Sequence, residues 1–198
     1  MVHGLMGASN SGHDVGRRPA TAIRSKTAKA RSTLSLVAAL GVVAGGLIGC
    51  GPSKKKYDIN VTMDPSMRDT RTQTYPNIDV ELVGVPEADL EQFRAQSPAG
   101  WFGSQLRADR RDRTHAMLFT NDSLTPAGVK KTDEIWKKWA DARSVFIFSN
   151  NPGTFTPGND LRRRELPLAG DRWAGTEINL LIKPSGLELV TPMLPEKD

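Results

Sequence analysis

From residue 57 onward the chain alternates short apolar-patterned segments with polar breaks rich in Gly and Pro. Tyr57, Ile59, Val61 and Met63 take every second position, with Asp58, Asn60 and Thr62 between them. A period of two places the four apolar side chains on one face of a half-buried strand. Ile78-Asp79-Val80-Glu81-Leu82 repeats the pattern, whereas Val145-Phe146-Ile147-Phe148 is apolar throughout and predicts a central strand covered on both faces. Thr114 to Thr120 predicts another strand, and Trp101-Phe102 opens one expected to run to Arg107. Arg162 to Leu168 predicts an edge strand, its Arg162-Arg163-Arg164 run discouraging further pairing. Thr176 to Lys183 and Leu187 to Val190 flank Pro184-Ser185-Gly186, which predicts a β-hairpin. Two stretches have helical spacing: Glu87 to Gln96, with Pro86 at its start, and Pro126 to Arg143, with Ile135, Trp136, Trp139 and Ala140 on one face. Asp64 to Pro76 is a polar loop, and Asn150 to Asp160 carries two turn signals, Asn-Asn-Pro-Gly and Thr-Pro-Gly-Asn.

Seven or eight short strands without regular helical alternation argue against a doubly wound parallel sheet. They predict a mainly β protein, an antiparallel β-sandwich of transthyretin-like or Ig-like kind with one or two helical insertions. A single antiparallel sheet in an α+β fold is the alternative.

The first fifty residues follow a different pattern. Residues 1–31 hold six basic side chains and one acid, Asp14, and are followed by an uncharged, mostly apolar run from Ser32 to Cys50. A basic region ahead of a short apolar run is the layout of an export signal, its positive charge held on the cytoplasmic side. The run ends in Leu47-Ile48-Gly49-Cys50, which resembles the bacterial lipobox. The resemblance implies cleavage behind Gly49 and a lipid on the Cys50 sulfur, palmitate included. It also implies a protein of the bacterial cell envelope, most simply at the outer membrane facing the periplasm. Met1 and Met6 both remain open as the start. The chain thus divides into a signal peptide (1–49), a lipidated Cys and polar tether (50–56) and a single β-rich domain (57–198).

This division changes the meaning of the charge. The 198 residues carry a formal net charge of +5, which alone would point to nucleic acid or another acidic partner. Six of the 27 basic and one of the 22 acidic residues precede Cys50, leaving 21 of each behind it. The positive balance belongs to the signal, and no nucleic-acid partner is expected.

No catalytic or metal-binding constellation stands out. Cys50 is the only Cys, and His115 is the only His beyond residue 50. There is no nucleophile elbow and no phosphate loop. Asp109, Asp112, Asp122, Glu165, Asp171 and Glu177 are scattered acids, read as solvated. Arg107-Ala108-Asp109-Arg110-Arg111-Asp112-Arg113 reads as an intramolecular salt-bridged loop. Trp101, Trp136, Trp139 and Trp173 read as core, their N–H groups requiring acceptors; Trp136 and Trp139, with four nearby lysines, form an alternative contact helix. The expectation is a protein that acts by binding, with no enzymatic activity, cofactor or metal.

The order of features also resembles the outer-membrane lipoprotein of type VI secretion systems. It comprises a lipidated Cys, a tether, an alternating strand, a polar loop, a second alternating strand, a helical insertion at Phe93 to Phe102, and a terminal hairpin with Ser185-Gly186-Leu187-Glu188-Leu189 after Trp173. The resemblance implies that the Asp64–Pro76 loop docks an envelope protein partner, with Arg68, Arg71 and Tyr75 as the contact residues. The expected role is a structural or assembly component; the alternative is an envelope module that binds lipid, glycan or peptidoglycan.

Overall fold

A computed structural model of the chain describes residues 54–121, 125–153, 155 and 160–195. The signal segment, Gly49, Cys50, Asp122 and the Thr-Pro-Gly-Asn turn lie outside the described residues. Eight strands form two four-stranded sheets. They are β1 (Asp58–Met63), β2 (Ile78–Pro86), β3 (Thr114–Phe119), β4 (Ala127–Val129), β5 (Ala142–Ser149), β6 (Arg163–Pro167), β7 (Glu177–Lys183) and β8 (Gly186–Leu189). The first sheet has the order β4-β1-β7-β8 and the second β3-β2-β5-β6. Five strand pairs are antiparallel, and the sixth, β1 with β7, is parallel. The architecture is the predicted β-sandwich, mixed rather than purely antiparallel because of that one pair.

Alternation decides which side chains meet between the sheets. Tyr57, Ile59 and Val61 are buried, as are Ile78, Val80 and Leu82 of β2 and Ile178, Leu180 and Ile182 of β7, in one continuous core. From Val83 onward β2 is buried on both faces, and so is most of β5. The second cover comes from the β2–β3 connection, which folds into three short helices: α1 (Leu90–Ala95), α2 (Pro98–Trp101) and α3 (Gln105–Asp109). Phe93 and Trp101 pack there against Phe146 and Phe148, and the Trp101 and Phe148 rings stack with centroids 4.4 Å apart.

Two sequence expectations are corrected. The strand expected from Trp101 to Arg107 is helical, because each half of that stretch follows a serine N-cap. Ser97 Oγ accepts from the Gly100 N–H with Pro98 at the first helical position, and Ser104 Oγ accepts from the Arg107 N–H. The helix expected over Pro126 to Arg143 contracts to α4 (Ile135–Lys138). Its beginning is β4, drawn into the ladder of β1 with Ile59 opposite Val129, and its end is the start of β5. Side-chain caps stop the intervening turn: Asp133 accepts from Lys130 N–H and Asp58 from Lys131 N–H. Ladder bonds to a buried strand outweigh the weak helix preference of a few residues.

Several other expected elements are present. Residues 87–95 are helical behind Pro86, β5 is central, β6 is an edge strand, and β7 and β8 form the hairpin. All four indole N–H groups have acceptors: the Glu81 carboxylate for Trp101, and the carbonyls of Lys130, Arg113 and Pro167 for Trp136, Trp139 and Trp173.

Gly84 illustrates how tightly α4 and its flank close the core. A Cβ at this position would stand 2.2 Å from Cδ1 of the Trp139 indole. Gly84→Ala is therefore expected to destabilise the domain by about 1–3 kcal/mol, as overpacking does. Denaturant titration should show a lowered midpoint at unchanged slope.

Candidate docking end of the sandwich

The polar segment between β1 and β2 is ordered by its own side chains. Asp64 Oδ1 accepts from Ser66 N–H and begins a single 3-10 turn at Pro65–Met67, whose Met67 side chain is buried in the core. Asp69 Oδ1 accepts from the N–H groups of both Arg71 and Thr72 at 2.8 Å, and backbone bonds between Asp69 and Thr74 and between Gln73 and Asp69 close the turn. The N–H groups of Thr72 and Arg71 hold the Asp69 carboxyl below the usual carboxylate range, and Ser66 does the same for Asp64. Gln73 sits in the left-handed region at φ 59°, a conformation costing about 1–2 kcal/mol for a residue with a Cβ. Its backbone carbonyl accepts from Arg68 Nε at 2.8 Å, and its side chain donates to Thr70 O.

These bonds fix the three residues singled out in the sequence. Arg68 is exposed and tethered through Nε to the Gln73 carbonyl. Arg71 is exposed and makes no ion pair among the described residues. Tyr75 is half-buried against the core, and its N–H donates to Asn121 Oδ1. A shallow depression of about 430 Å³ brings Arg68, Asp69 and Tyr75 together with Pro152 and Pro184. The β1–β2, β5–β6 and β7–β8 connections therefore meet at one end of the sandwich. The last two are linked by Asn151 Nδ2, which donates to Lys183 O at 2.7 Å. Sequence reasoning missed the contribution of these neighbouring connections; the turn signals at Asn150–Gly153 and Pro184–Gly186 mark their existence but not their meeting.

The other candidates are placed elsewhere. The expected contact helix is four residues long, and its indoles face inward, Trp136 4% and Trp139 2% exposed. They pack edge to face, 5.1 Å apart, and offer no aromatic surface. The arginine-rich segment is tied internally, as expected, but its partners come from distant residues. Arg107 pairs with Glu81, Arg110 with Asp89 and Arg113 with Asp141, each at 2.6 Å. Glu81, which the alternation assigns to solvent, is only 3% exposed and also accepts from the Trp101 indole. A depression of about 530 Å³ beside this pair is lined by Ser104, Arg107, Arg111 and Thr114. The triple arginine of β6 is likewise engaged: Arg162 with Asp160, Arg163 with the carbonyls of Phe93, Arg94 and Gln96, and Arg164 with Leu187 O. His115 is half-buried on β3. Among the described residues, no group of three or more His, Cys, Asp or Glu side chains is placed to hold a metal ion.

No protein-family model matches the chain, and no curated protein matches it in sequence. Solved structures do. Lip of Serratia marcescens, a membrane-bound component of the type VI secretion system, is similar at 13% identity and a TM-score of 0.45, over 68% of this chain and 96% of that one. The type VI lipoprotein TssJ1 of Pseudomonas aeruginosa gives 11% identity and a TM-score of 0.46, over 73% of this chain and 100% of that one. The structure of a TssM C-terminal domain from enteroaggregative Escherichia coli gives 10% and 0.48, over 68% of this chain and 100% of that one.

The turn built on Asp69 leads to a testable expectation. A carboxylate with a depressed folded pKa contributes order above its unfolded value, near 3.9, and that contribution fades as pH falls through the lower folded value. Amide exchange at Arg71 and Thr72 should accelerate in Asp69→Ala at neutral pH, and much less in Asp69→Asn, which keeps an acceptor. In the wild type, acceleration beyond the intrinsic pH dependence should begin only below the ordinary carboxylate range.

Proposed function

We propose that the chain is a lipid-anchored protein of the bacterial cell envelope that works as an assembly component, docking another envelope protein through the Asp64–Pro76 loop. More specifically, we propose a role in a membrane complex of the type VI secretion kind, with Arg68, Arg71 and Tyr75 as contact residues. The single-domain organisation behind a lipidated Cys50, with cleavage after Gly49 and display from the outer membrane into the periplasm, belongs to the same reading.

One observation carries it: the loop lies at the end of the sandwich opposite the tether. Ahead of β1, Lys54 bridges to Ala169 behind the end of β6, and Lys55 Nζ donates to Gly175 O just before β7. The loop leaves the far end of β1, where Asp64 N–H donates to Ile182 O at the end of β7. A strand of this length spans about 20 Å. A protein held to a membrane at residue 50 would thus present the loop away from it, with its backbone held by Asp69 and its two arginines exposed. The depressions described above are lined largely by polar, charged and proline side chains rather than by the apolar walls of a small-molecule site, which favours protein docking over ligand capture.

Two measurements test the proposal. Palmitate labelling in a bacterial host should be present in the wild type and lost in Cys50→Ala; equal labelling of both would remove the anchor. Crosslinking in cells should recover an envelope protein with the wild type. Recovery should fall about tenfold or more in Arg68→Glu/Arg71→Glu, as for loss of a charged hot spot, while labelling and thermal stability stay unchanged. An unaltered crosslink pattern would overturn the assignment of the loop.

A further inference from the structure

The end of the sandwich nearest the tether has a surface of its own. Four large apolar side chains are exposed among the described residues: Leu118, Val190, Met193 and Leu194. Three of these fall within the five residues that follow β8, with 51% of Val190, 46% of Met193 and 37% of Leu194 in solvent. Backbone bonds hold this segment in place. Val190 and Thr191 N–H donate to Asn179 O, Met193 bridges to Trp173, and Leu194 N–H donates to Arg172 O. Trp173 is buried edge to face against Tyr57, and Tyr57 donates to Ala169 O beside the tether. The exposed aliphatic residues thus stand on the rigid end of the molecule at which the chain from Cys50 arrives.

Covalent reach limits what that end can face. Four peptide units separate Cys50 from Lys54 in sequence, a span of at most about 14 Å. Lipid chains on Cys50 would hold this end within that distance of the bilayer. The charge there is also suited to anionic headgroups. Lys54, Lys56, Lys131 and Lys138 are exposed at or beside this end: Lys54 Nζ donates to Ala140 O next to α4, and Lys131 N–H donates to the Asp58 carboxylate at the start of β1. The acids here are Asp58, which accepts that N–H, Asp133, which accepts from Lys130 N–H, Glu134, paired with Lys137, Asp141, paired with Arg113 and close enough to Lys54 to feel its charge, and the exposed Asp171 and Glu177.

We infer that Val190, Met193 and Leu194, at the same end of the sandwich as these lysines, form a membrane-contacting face that seats the anchored domain on the bilayer surface in a fixed orientation. The partner is lipid: aliphatic side chains enter the boundary between headgroups and acyl chains, and lysines meet phosphates. The inference rests on the lipid anchor proposed above, and it adds that the lipid is not a free leash. The two ends of the sandwich then have separate tasks, membrane seating at one and partner docking at the other.

The test uses the full chain, lipidated in a bacterial host and reconstituted into vesicles of phosphatidylethanolamine and phosphatidylglycerol that contain doxyl-labelled lipid. Met193→Cys carries an environment-sensitive fluorophore, and Thr72→Cys, on the docking loop, serves as control. Fluorescence at position 193 should be quenched severalfold more strongly than at position 72. Introducing Leu194→Asp together with Lys56→Glu should abolish the difference without lowering thermal stability. Equal quenching at both positions in a chain whose mass includes the lipid would overturn the inference and leave the anchor standing. A mass without lipid would overturn both. Shielding of position 193 in cells but not in pure vesicles would assign the patch to a protein and also overturn it.

Discussion

The structure depends on the parallel pairing of β1 with β7. β1 is the first strand behind the tether, yet it lies inside its sheet, with β7 on one side and β4 on the other. Six register pairs, from Asp58 opposite Glu177 to Met63 opposite Ile182, align the beginnings of the two strands and therefore also their ends. The residues that immediately precede β1 and β7 are gathered at one pole, and those that immediately follow them at the other. Force applied through residues 50–56 would meet a strand hydrogen-bonded along both edges, with Tyr57 locked under Trp173. An edge strand in that position could be peeled away one bond at a time; an interior strand resists because two ladders must yield together.

The second sheet answers a different constraint. β2 and β5 are apolar on both faces over much of their length, so the sandwich buries one face and leaves the other needing cover. The short helices between β2 and β3 provide it, packing Phe93 and Trp101 onto Phe146 and Phe148. Their attachment is partly polar. The Glu81 carboxylate receives two nitrogens of Arg107 and the indole N–H of Trp101, tying α2 and α3 to the middle of β2. Arg107 is raised in pKa chiefly by that hydrogen-bonded partner. Its half-exposed position keeps the pair from bearing the full desolvation cost of a buried ion pair. Removing Glu81 alone would leave a buried indole N–H without its acceptor, so the cost of such a change lies in what remains behind rather than in the salt bridge itself.

The same contrast explains what could be read in the sequence. Strands whose partners lie on one face, β1 and β7 above all, announce themselves through alternation, because burial and exposure follow the period of two. The doubly covered β5 announces itself as an uninterrupted apolar run. Glu81 was illegible because the pattern of β2 alone assigns it outward, and only a helix twenty residues later turns that outward face into an interior. Trp101 to Arg107 failed for a related reason: two apolar residues suggested a strand, whereas the serine caps at Ser97 and Ser104 governed the local backbone. Pro126 to Arg143 failed because a tertiary ladder took its first residues and β5 its last. At the candidate loop, Arg68, Arg71 and Tyr75 could be named from the type VI resemblance, but the Asp69 turn beside them and the neighbouring Pro152 and Pro184 emerge only from the fold.

The neutral balance of the chain beyond Cys50 hides how the fold distributes its charges. At the loop pole, Arg68 and Arg71 are exposed beside the turn of Asp69, whose carboxylate accepts from two amide N–H groups. At the tether pole, lysines accompany exposed Val190, Met193 and Leu194. Many of the acids are committed to arginines, Glu81 to Arg107, Asp89 to Arg110, Asp141 to Arg113, Glu165 to Arg94 and Asp160 to Arg162. A sequence with equal numbers of both signs thus becomes a body in which many charges are paired across distant elements while others stay exposed at its ends. Composition cannot express this arrangement, since it depends on which charges have found partners.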